Sequence, residues 1–384
     1  MKDRERSAAD ARFMALALTL GRRGLGNTWP NPAVGAVVVR AGDEPVILGR
    51  GWTQPCGRPH AETEALRRAG AAARGGTLYV TLEPCSHFGR TPPCVDAIIA
   101  AGIARVVSAI EDPNPQVAGR GHDRLRAAGI AVDVGVGAEE AQRAHAGHIR
   151  RVRDRRPHVL LKLALSADDK VALAGRRPVA ITGTAARDLV HRMRAQHDAI
   201  LIGVGTALAD DPELTCRLPG MAARSPVRVV LDTNLRLPPG SRLARTARET
   251  PLWVVAGEAA PETAEQNLRA AGVDIVRIAR IAEAGTPDLP AVVAMLAERG
   301  ITRLMVEGGP RVAASFVRAD LVDKAVIFHG DRTIGGDGID ALQGLPLVAL
   351  TQSKALPARS AGTIGCDRIE TFSRAILAGH TIGT

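Results

Sequence analysis

The chain has 384 residues, which is long enough for two domains that each bury a core of their own. Its formal net charge is +10, yet aromatic residues make up only 2%, and nucleic-acid grooves usually interleave basic residues with aromatic stacking platforms. No stretch approaches the roughly 20 apolar residues of a membrane span, and the five cysteines show no disulfide framework. We therefore expect a cytoplasmic protein that binds a small, phosphorylated molecule and neither nucleic acid nor a membrane.

Strands alternate with helices through the first 150 residues, which predicts a layered α/β domain. The predicted elements are a helix over 8–20, strands over 33–39 and 46–52, a helix over 61–69, a strand over 77–82, a helix from 94, a strand over 105–110, a helix over 120–128, a strand over 130–134 and a closing helix over 138–149. An arginine-rich stretch follows and ends before Pro157. We therefore predict two domains, over 1–150 and 157–384.

A metal-binding pattern lies inside the first domain, where His60 is followed by Glu62, Cys85 and Cys94. One histidine and two cysteines supply three zinc ligands and leave the fourth position open for water. Zinc lowers the pKa of that water, and a glutamate two residues after the histidine is placed to move protons to a leaving amino group. The pattern therefore predicts a zinc-dependent base deaminase.

A closed, structural zinc site is the alternative interpretation of the same residues. It needs a fourth protein ligand, and Cys56 and His87 are the nearby candidates. Two buried cysteines beside an unrelated histidine would also fit. Glu62 favours the catalytic interpretation, because a structural site has no use for it.

Two further histidines, His145 and His148, lie three residues apart on the closing helix of the first domain. That spacing places both on one helix face, where they could bind a metal. No carboxylate partner is evident in the sequence, so we expect both side chains at the surface.

The second half repeats the alternation of strands and helices with different landmarks. The predicted elements are a strand over 158–165, a helix over 185–195, strands over 199–204, 227–231 and 252–255, a helix over 261–271, a strand over 273–278, a helix over 289–299, a strand over 302–306, a helix over 311–317 and a strand over 324–329. This alternation predicts a second α/β domain.

Gly308 and Gly309 stand between a predicted strand and a predicted helix, with Pro310 at the first helical position. Free backbone N–H groups at such a helix start bind anions, so a phosphate or dinucleotide site is predicted, although a tight turn explains the same residues. Residues 203–206 hold a partial Gly-x-Gly without a third glycine, so the Rossmann fingerprint is absent. These residues alone do not name a reaction.

Eight segments together resemble the bifunctional deaminase–reductase family of riboflavin biosynthesis. They are residues 30–35, 60–62, 81–94, 112–121, 162–168, 181–183, 207–215 and 306–310. The eight residues between Cys85 and Cys94, with Gly89 and two prolines, distinguish this family from cytidine, guanine and tRNA-adenosine deaminases.

The resemblance implies two successive reactions. The first half would remove the ring amino group of a diaminopyrimidinone that carries a ribosylamino phosphate, and the second would use NADPH to convert the ribosyl group into a ribityl chain. It also implies a cytidine-deaminase-like, three-layer fold for the first half and a dihydrofolate-reductase-like fold for the second. The latter would explain the missing Rossmann fingerprint.

The resemblance also assigns roles to residues of this chain. In the first half, Asn31 would line the pyrimidine pocket, and zinc would be held by His60, Cys85 and Cys94 while Glu62 moves protons. The positions that would contact NADPH are Ala164, Thr206, Asp210, Thr233 and Gly309. The positions that would contact substrate are Arg194, Leu214, Arg217 and Glu307. Two arginines suit a sugar phosphate, because the guanidinium group pairs with phosphate oxygens.

The second half departs from the family in the region of the cofactor. Asp169 stands where glycine is frequent, Ala180 stands where tryptophan is common, and residues 175–178 differ from the usual segment. A changed turn leaves open a second hypothesis, a deaminase with a degenerate reductase half. The shared architecture of the family further implies a homo-oligomer assembled through the reductase half.

Overall fold

Two units make up the chain, and the boundary between them follows Arg155. The computed structural model describes residues 2–40, 42, 44–89, 92–115, 117–176, 179–279 and 287–375. Five residues of the segments that carried the resemblance or departed from it lie outside the described residues: Arg90, Thr91, Gln116, Arg177 and Pro178. No helix in the described ranges is long and apolar enough to cross a membrane.

The first unit is built around a mixed β-sheet. Its elements are α1 (Lys2–Gly21), β1 (Gly35–Arg40), β2 (Val46–Trp52), α2 (Ala61–Ala69), β3 (Thr77–Val80), α3 (Cys94–Ala100), β4 (Arg105–Ser108), α4 (Arg120–Ala127), β5 (Ala131–Val134), α5 (Ala138–Ala144) and α6 (Ala146–Asp154). The strand order is β2-β1-β3-β4-β5, in which β1 is antiparallel to both neighbours and β3, β4 and β5 are parallel.

Helices cover both faces of this sheet. A Cβ atom on Gly35 would lie 1.8 Å from the Ala17 carbonyl oxygen of α1, and one on Gly51 would lie 2.1 Å from the Ala61 carbonyl oxygen of α2. Gly51 pairs with Ala36, the neighbour of Gly35, so the two glycines point to opposite faces. Helices α1 and α2 therefore enclose the sheet in three layers, and glycine lets each of them approach it closely.

His145 interrupts the helix that the sequence predicts over 138–149. The helix ends at Ala144, and a new one begins at Ala146. The expectation that His145 and His148 lie at the surface is wrong. His145 is 2% exposed with its Nε2 atom 3.1 Å from the Thr81 hydroxyl, and His148 Nε2 lies 3.2 Å from the Asp112 carboxylate. The carboxylate partner comes from a distant loop, which the local sequence could not indicate.

The second unit contains a larger sheet. Its elements are β6 (His158–Leu165), β7 (Lys170–Ala172), α7 (Thr184–Ala195), β8 (Ala199–Gly203), α8 (Val204–Asp210), β9 (Val227–Leu231), α9 (Arg242–Arg245), β10 (Leu252–Gly257), α10 (Glu262–Ala270), β11 (Asp274–Ile278), α11 (Leu289–Glu298), β12 (Arg303–Val306), α12 (Pro310–Arg318), β13 (Lys324–His329), β14 (Ile339–Asp340), α13 (Val348–Thr351), β15 (Ala358–Ile364) and β16 (Asp367–Ser373).

In the described part of the chain this sheet has the order β11-β10-β9-β8-β12-β6-β13-β16-β15. The strands from β11 to β13 run parallel, whereas β16 is antiparallel to both of its neighbours, β13 and β15. Parallel strands end at the same edge of a sheet, so the chain segments that follow β8, β9 and β12 meet there. Ligands of open α/β sheets bind at this edge.

Candidate active sites

Three potential zinc ligands converge in the first unit. His60 caps the N-terminus of α2, Cys94 begins α3, and Cys85 lies in the loop after β3. Their ligand atoms all lie within 4.8 Å of one another, with His60 Nδ1 3.2 Å from Cys94 Sγ and 3.6 Å from Cys85 Sγ. One nitrogen and two sulfur donors at such separations fit a tetrahedral zinc ion.

The loop between the two cysteines is closed by backbone contacts at its base. The Cys94 N–H group donates to Cys85 Sγ at 3.3 Å, and the Val95 N–H group donates to the Cys85 carbonyl at 3.2 Å. The chain between the two cysteines therefore forms a closed loop that brings Cys94 next to Cys85. Within the described residues neither Cys56 nor His87 joins the cluster, so the fourth ligand that a closed site requires is not found there.

The protonation of the cluster favours metal binding. The hydrogen bond between the two thiol groups lowers the pKa of Cys85 to about 4 and raises that of Cys94. The hydrogen bond to Cys85 also raises the pKa of His60. The lowered pKa favours the thiolate form of Cys85 near neutral pH even without a metal, and thiolate is the form that binds zinc.

Glu62 and Asn31 flank this cluster in the fold. Glu62 lies in the first turn of α2 and is 4% exposed; burial raises its pKa, which suits a group that must accept and return a proton. Asn31 donates from Nδ2 to the Gly57 carbonyl at 2.9 Å, three residues before His60. A Cβ atom on Gly57 would lie 2.3 Å from that Nδ2 atom, so the glycine makes room for Asn31.

Glu83, which the sequence did not single out, organises the loop beside the metal ligands. The side chain is 4% exposed and accepts hydrogen bonds from the backbone N–H groups of Asp112, Gly119 and Gly121 at 3.1, 3.0 and 2.8 Å. Three backbone donors, two from the segment between β4 and α4 and one from the first turn of α4, therefore depend on a single carboxylate, two residues before Cys85.

We expect Glu83→Gln to destabilise the first unit by roughly 2–4 kcal/mol, because an amide accepts through one atom and its NH₂ group would face N–H donors. Thermal unfolding measures this loss of stability. Glu111→Gln, at an exposed neighbouring carboxylate, is the matched control. An unfolding temperature equal to that of the control would contradict the assigned role.

In the second unit, a buried ion pair joins two of the predicted substrate positions. Arg194 donates from Nε and Nη2 to the two carboxylate oxygens of Glu307 at 2.7 and 3.0 Å. Burial opposes ionisation of Glu307, but Arg194 and then Lys162 outweigh it and lower the pKa to about 2. Burial also lowers the pKa of Lys162, a site residue that the sequence analysis did not assign. A lysine within an apolar strand was the available signal.

The predicted cofactor positions line two adjoining cavities. One, of about 260 Å³, is lined by Ala164 and Asp210 together with Lys162 and Glu307, and burial raises the pKa of Asp210. The other, of about 470 Å³, is lined by Thr233. The lining residues shared by both cavities are Gly205, Thr206, Gly309 and Pro310.

Thr206 and Gly309 meet where the two cavities adjoin. The Gly309 N–H group donates to the Thr206 hydroxyl at 3.1 Å, and a Cβ atom on Gly309 would lie 2.8 Å from that oxygen. The partial Gly-x-Gly of residues 203–206 lies at the start of α8, where Gly203 is the N-cap residue. Both helix starts, of α8 and α12, lie at the edge where the parallel strands end.

The remaining predicted substrate positions line a third cavity, of about 330 Å³. Its lining includes Arg194, Leu214, Arg217 and Arg242 together with Glu213, whose carboxylate forms ion pairs with Arg217 and Arg242. Leu214 has a φ angle of 56°, which is rare for a bulky residue, and such strain is frequent at functional sites. Three guanidinium groups around one cavity suit a phosphate. Arg194 lines this cavity and is bonded to Glu307, which lines the 260 Å³ cavity.

The turn that contains Asp169 is intact despite the departure from glycine. Asp169 has a φ angle of 60°, a conformation that glycine adopts without strain and that aspartate tolerates better than most residues. The Asp169 N–H group donates to the Ser166 carbonyl at 3.1 Å, and the Lys170 N–H group donates to the Ser166 hydroxyl at 2.9 Å. The exposed Ala180 lies in an irregular segment.

The two halves of the chain match two family profiles. Residues 7–110 match the cytidine and deoxycytidylate deaminase zinc-binding region, and residues 157–367 match the RibD C-terminal domain. The chain is 42% identical to riboflavin biosynthesis protein RibD of Escherichia coli, over 88% of this chain and 93% of that protein.

Two solved structures resemble nearly the whole chain. RibD of Acinetobacter baumannii has a TM-score of 0.84 and 32% identity, and the match covers 96% of this chain and 99% of that one. A second match is a Thermotoga maritima protein described as a diaminohydroxyphosphoribosylaminopyrimidine deaminase/5-amino-6-(5-phosphoribosylamino)uracil reductase. Its TM-score is 0.82 and its identity 34%, and the match covers 96% of this chain and 100% of that one.

A zinc-binding deaminase domain and a reductase domain thus follow one another in a single chain, which is the arrangement of a bifunctional deaminase–reductase. The cofactors of that class are zinc for the first domain and NADPH for the second. The chain belongs to the RibD family of riboflavin biosynthesis enzymes. The predicted fold is confirmed: a cytidine-deaminase-like domain precedes a dihydrofolate-reductase-like domain.

Proposed function

We propose that the first domain, over 1–150, releases ammonia from a diaminopyrimidinone that carries a ribosylamino phosphate. The second domain, over 157–384, then reduces the ribosyl group of the product to a ribityl chain with NADPH. The observation that carries the proposal is the convergence of His60, Cys85 and Cys94 beside the buried Glu62. The intact Arg194–Glu307 pair favours a working reductase over a degenerate one.

In the deaminase site, His60, Cys85 and Cys94 would hold zinc, which supplies an activated water near neutral pH. Glu62 would take a proton from that water and deliver it to the departing amino group, so the nitrogen leaves as ammonia. Asn31 would contact the pyrimidine, and its hydrogen bond to the Gly57 carbonyl supports a fixed orientation of its amide.

In the reductase site, opening the ribosyl ring breaks the bond from C1′ to the ring oxygen, adds a hydride to C1′ and adds a proton to that oxygen. NADPH, held along Ala164, Thr206, Asp210, Thr233 and Gly309, would supply the hydride. The proton must come from a group that lines the same cavity. Lys162 lines that cavity, and burial lowers its pKa toward the range in which a lysine can give up its proton, so it is the residue we assign to this step.

The substrate phosphate would bind among the guanidinium groups of the 330 Å³ cavity, with Leu214 in its wall. Glu307 would hold Arg194 in position and contact the sugar. Arg217 is bound to Glu213 at 3.3 Å with a half-exposed side chain, so its ion pair is weak and its donors are accessible to a ligand.

Arg217→Ala is expected to raise the reductase KM for its substrate by about 10-fold or more, because one charge-assisted contact to phosphate is lost. The dissociation constant of NADPH should stay unchanged. Steady-state kinetics and calorimetric titration separate the two quantities. A KM equal to that of the wild type would remove Arg217 from the phosphate site.

The proposed function is tested by one paired assay on full-length, zinc-loaded enzyme. The diaminopyrimidinone ribosylamino phosphate is added, and ammonia release and NADPH oxidation are followed in the same tube. Ammonia followed by NADPH consumption supports both activities. Ammonia without NADPH oxidation refutes the reductase, and no ammonia refutes the deaminase assignment for this substrate.

The cellular setting is also part of the proposal. All five cysteines are free thiols, which suits the reducing cytoplasm, and several arginines near the domain boundary are occupied by ion pairs such as Arg156 with Asp323, which argues against a nucleic-acid surface. A homo-oligomer through the reductase domain is supported by β15, an exposed edge strand that could pair with another copy. Light scattering of the purified protein tests this assembly.

A further inference from the structure

The 470 Å³ cavity has a one-sided charge. It lies where β8 and β9 end and α12 begins, and its described lining includes Arg236 and Arg311 but no carboxylate. A cavity whose charged lining groups are all guanidinium groups attracts an anion. The cavity adjoins the one that holds Lys162, through the shared residues Thr206 and Gly309.

The position of the two cavities orients a dinucleotide, an argument that rests on the proposed function. If the hydride is delivered beside Lys162, the nicotinamide lies in the 260 Å³ cavity. The pyrophosphate then passes Thr206 and Gly309, and the adenosine half enters the 470 Å³ cavity near Thr233. The ribose of that half is where NADPH and NADH differ, since only NADPH carries a 2′-phosphate.

The carboxylate that would favour NADH is not accessible from this cavity. In Rossmann domains, whose fingerprint this chain lacks, a carboxylate after a strand binds the ribose hydroxyls of NADH, and an arginine nearby accommodates the 2′-phosphate of NADPH. The same charge argument applies to any ribose that is bound beyond a strand end. Asp232 directly follows β9, but it is 0% exposed and its Oδ2 atom accepts from the Leu237 N–H group at 2.8 Å. Its carboxylate is therefore not presented to a ribose.

Arg236, by contrast, is accessible from the cavity. Its side chain is 59% exposed and lines the cavity, and its Nε atom is 4.0 Å from Asp232 Oδ1, beyond hydrogen-bond distance. Asp232 and Arg236 thus form a long ion pair, in which Arg236 donates no hydrogen bond to the carboxylate. We propose that Arg236 binds the 2′-phosphate of NADPH and is the residue that makes this reductase prefer NADPH over NADH.

The test is a calorimetric titration of full-length enzyme with NADPH, NADH, 2′,5′-ADP and 5′-AMP. Arg236→Ala should raise the dissociation constants of NADPH and 2′,5′-ADP by about 10- to 100-fold, which is the worth of a charge-assisted hydrogen bond. Binding of NADH and 5′-AMP should change by less than about twofold, and this retained binding also shows that the variant is folded.

Two further variants sharpen the result. Arg245→Ala removes an equal charge from an exposed position on α9 that does not line the cavity, and it should leave all four constants unchanged. Arg236→Lys should restore part of the NADPH affinity, because it keeps the charge but loses the planar fork.

Three outcomes would count against the proposal in different ways. Equal affinity of the wild type for NADPH and NADH, or equal losses for both in Arg236→Ala, overturns the assignment of Arg236 while the proposed reductase stands. A wild type that binds neither dinucleotide overturns the proposed reductase and this inference together.

Discussion

Glu62→Gln is expected to lower the rate of ammonia release by at least about 10³-fold, because a positioned general acid–base group contributes 10²- to 10⁴-fold to a rate. The amide keeps the volume of the side chain but cannot take a proton from the attacking water and return it to the leaving nitrogen. The substitution should leave zinc bound, because the ligands His60, Cys85 and Cys94 are untouched.

Two measurements separate this effect from loss of the metal: the zinc content per chain and the rate of ammonia release. Glu64→Gln is the matched control, since Glu64 lies on the same helix but forms ion pairs with Arg67 and Arg68. Its deaminase rate should change by no more than about twofold. Reduction of pre-deaminated substrate should be unaffected in both variants. A zinc-loaded Glu62→Gln enzyme with full deaminase activity would disprove the proton-transfer role.

Lys162→Met is expected to lower the reductase kcat by about 10²-fold or more while NADPH still binds and deamination continues. Methionine has a similar length but carries no proton to donate to the ring oxygen. The lost positive charge also leaves Glu307 with Arg194 alone, so some increase in substrate KM accompanies the change. The unfolding temperature should not fall, because a partly buried charge is replaced by an apolar group.

The pH profile gives this prediction a second readout. The donor must be protonated, so the wild-type kcat should fall as pH rises through the Lys162 pKa, which burial has lowered from its usual range. Lys162→Met should lack that descending limb. Lys354→Met, at an exposed lysine, should keep the wild-type profile. A Lys162→Met enzyme with wild-type turnover and the same limb would assign proton donation to another group, with Asp210 the next candidate in the cavity.

The zinc centre was predictable because its information is local. The histidine precedes a helix, and each cysteine adjoins a strand end or a helix start. The residue types and their order could therefore be recognised along the chain, and the fold then brings their ligand atoms together. The helix predicted from Cys94 and the one predicted over 61–69 are both confirmed. Glu62 followed from its offset to His60 along the chain. Their catalytic roles remain predictions.

The reductase site was predictable only through resemblance. Arg194, on α7, and Glu307, after β12, lie 113 residues apart, and the packing of α7 against the sheet brings them within hydrogen-bond distance. Lys162, on a neighbouring strand, was seen in the sequence as part of a strand and not as a titratable group of a cavity. The same limitation applies to Glu83, whose backbone partners come from a loop 29 or more residues away.

The alternation of strands and helices, the candidate metal ligands and the glutamate beside them could be predicted from the sequence, because periodicity and short spacings are local properties of a chain. Tertiary packing, by contrast, buries His145 and Asp232, half-buries His148 and places Arg236 on a cavity whose described lining holds no carboxylate. Those properties depend on which distant segment packs against a side chain, and burial and electrostatic surroundings arise only when the sheet assembles.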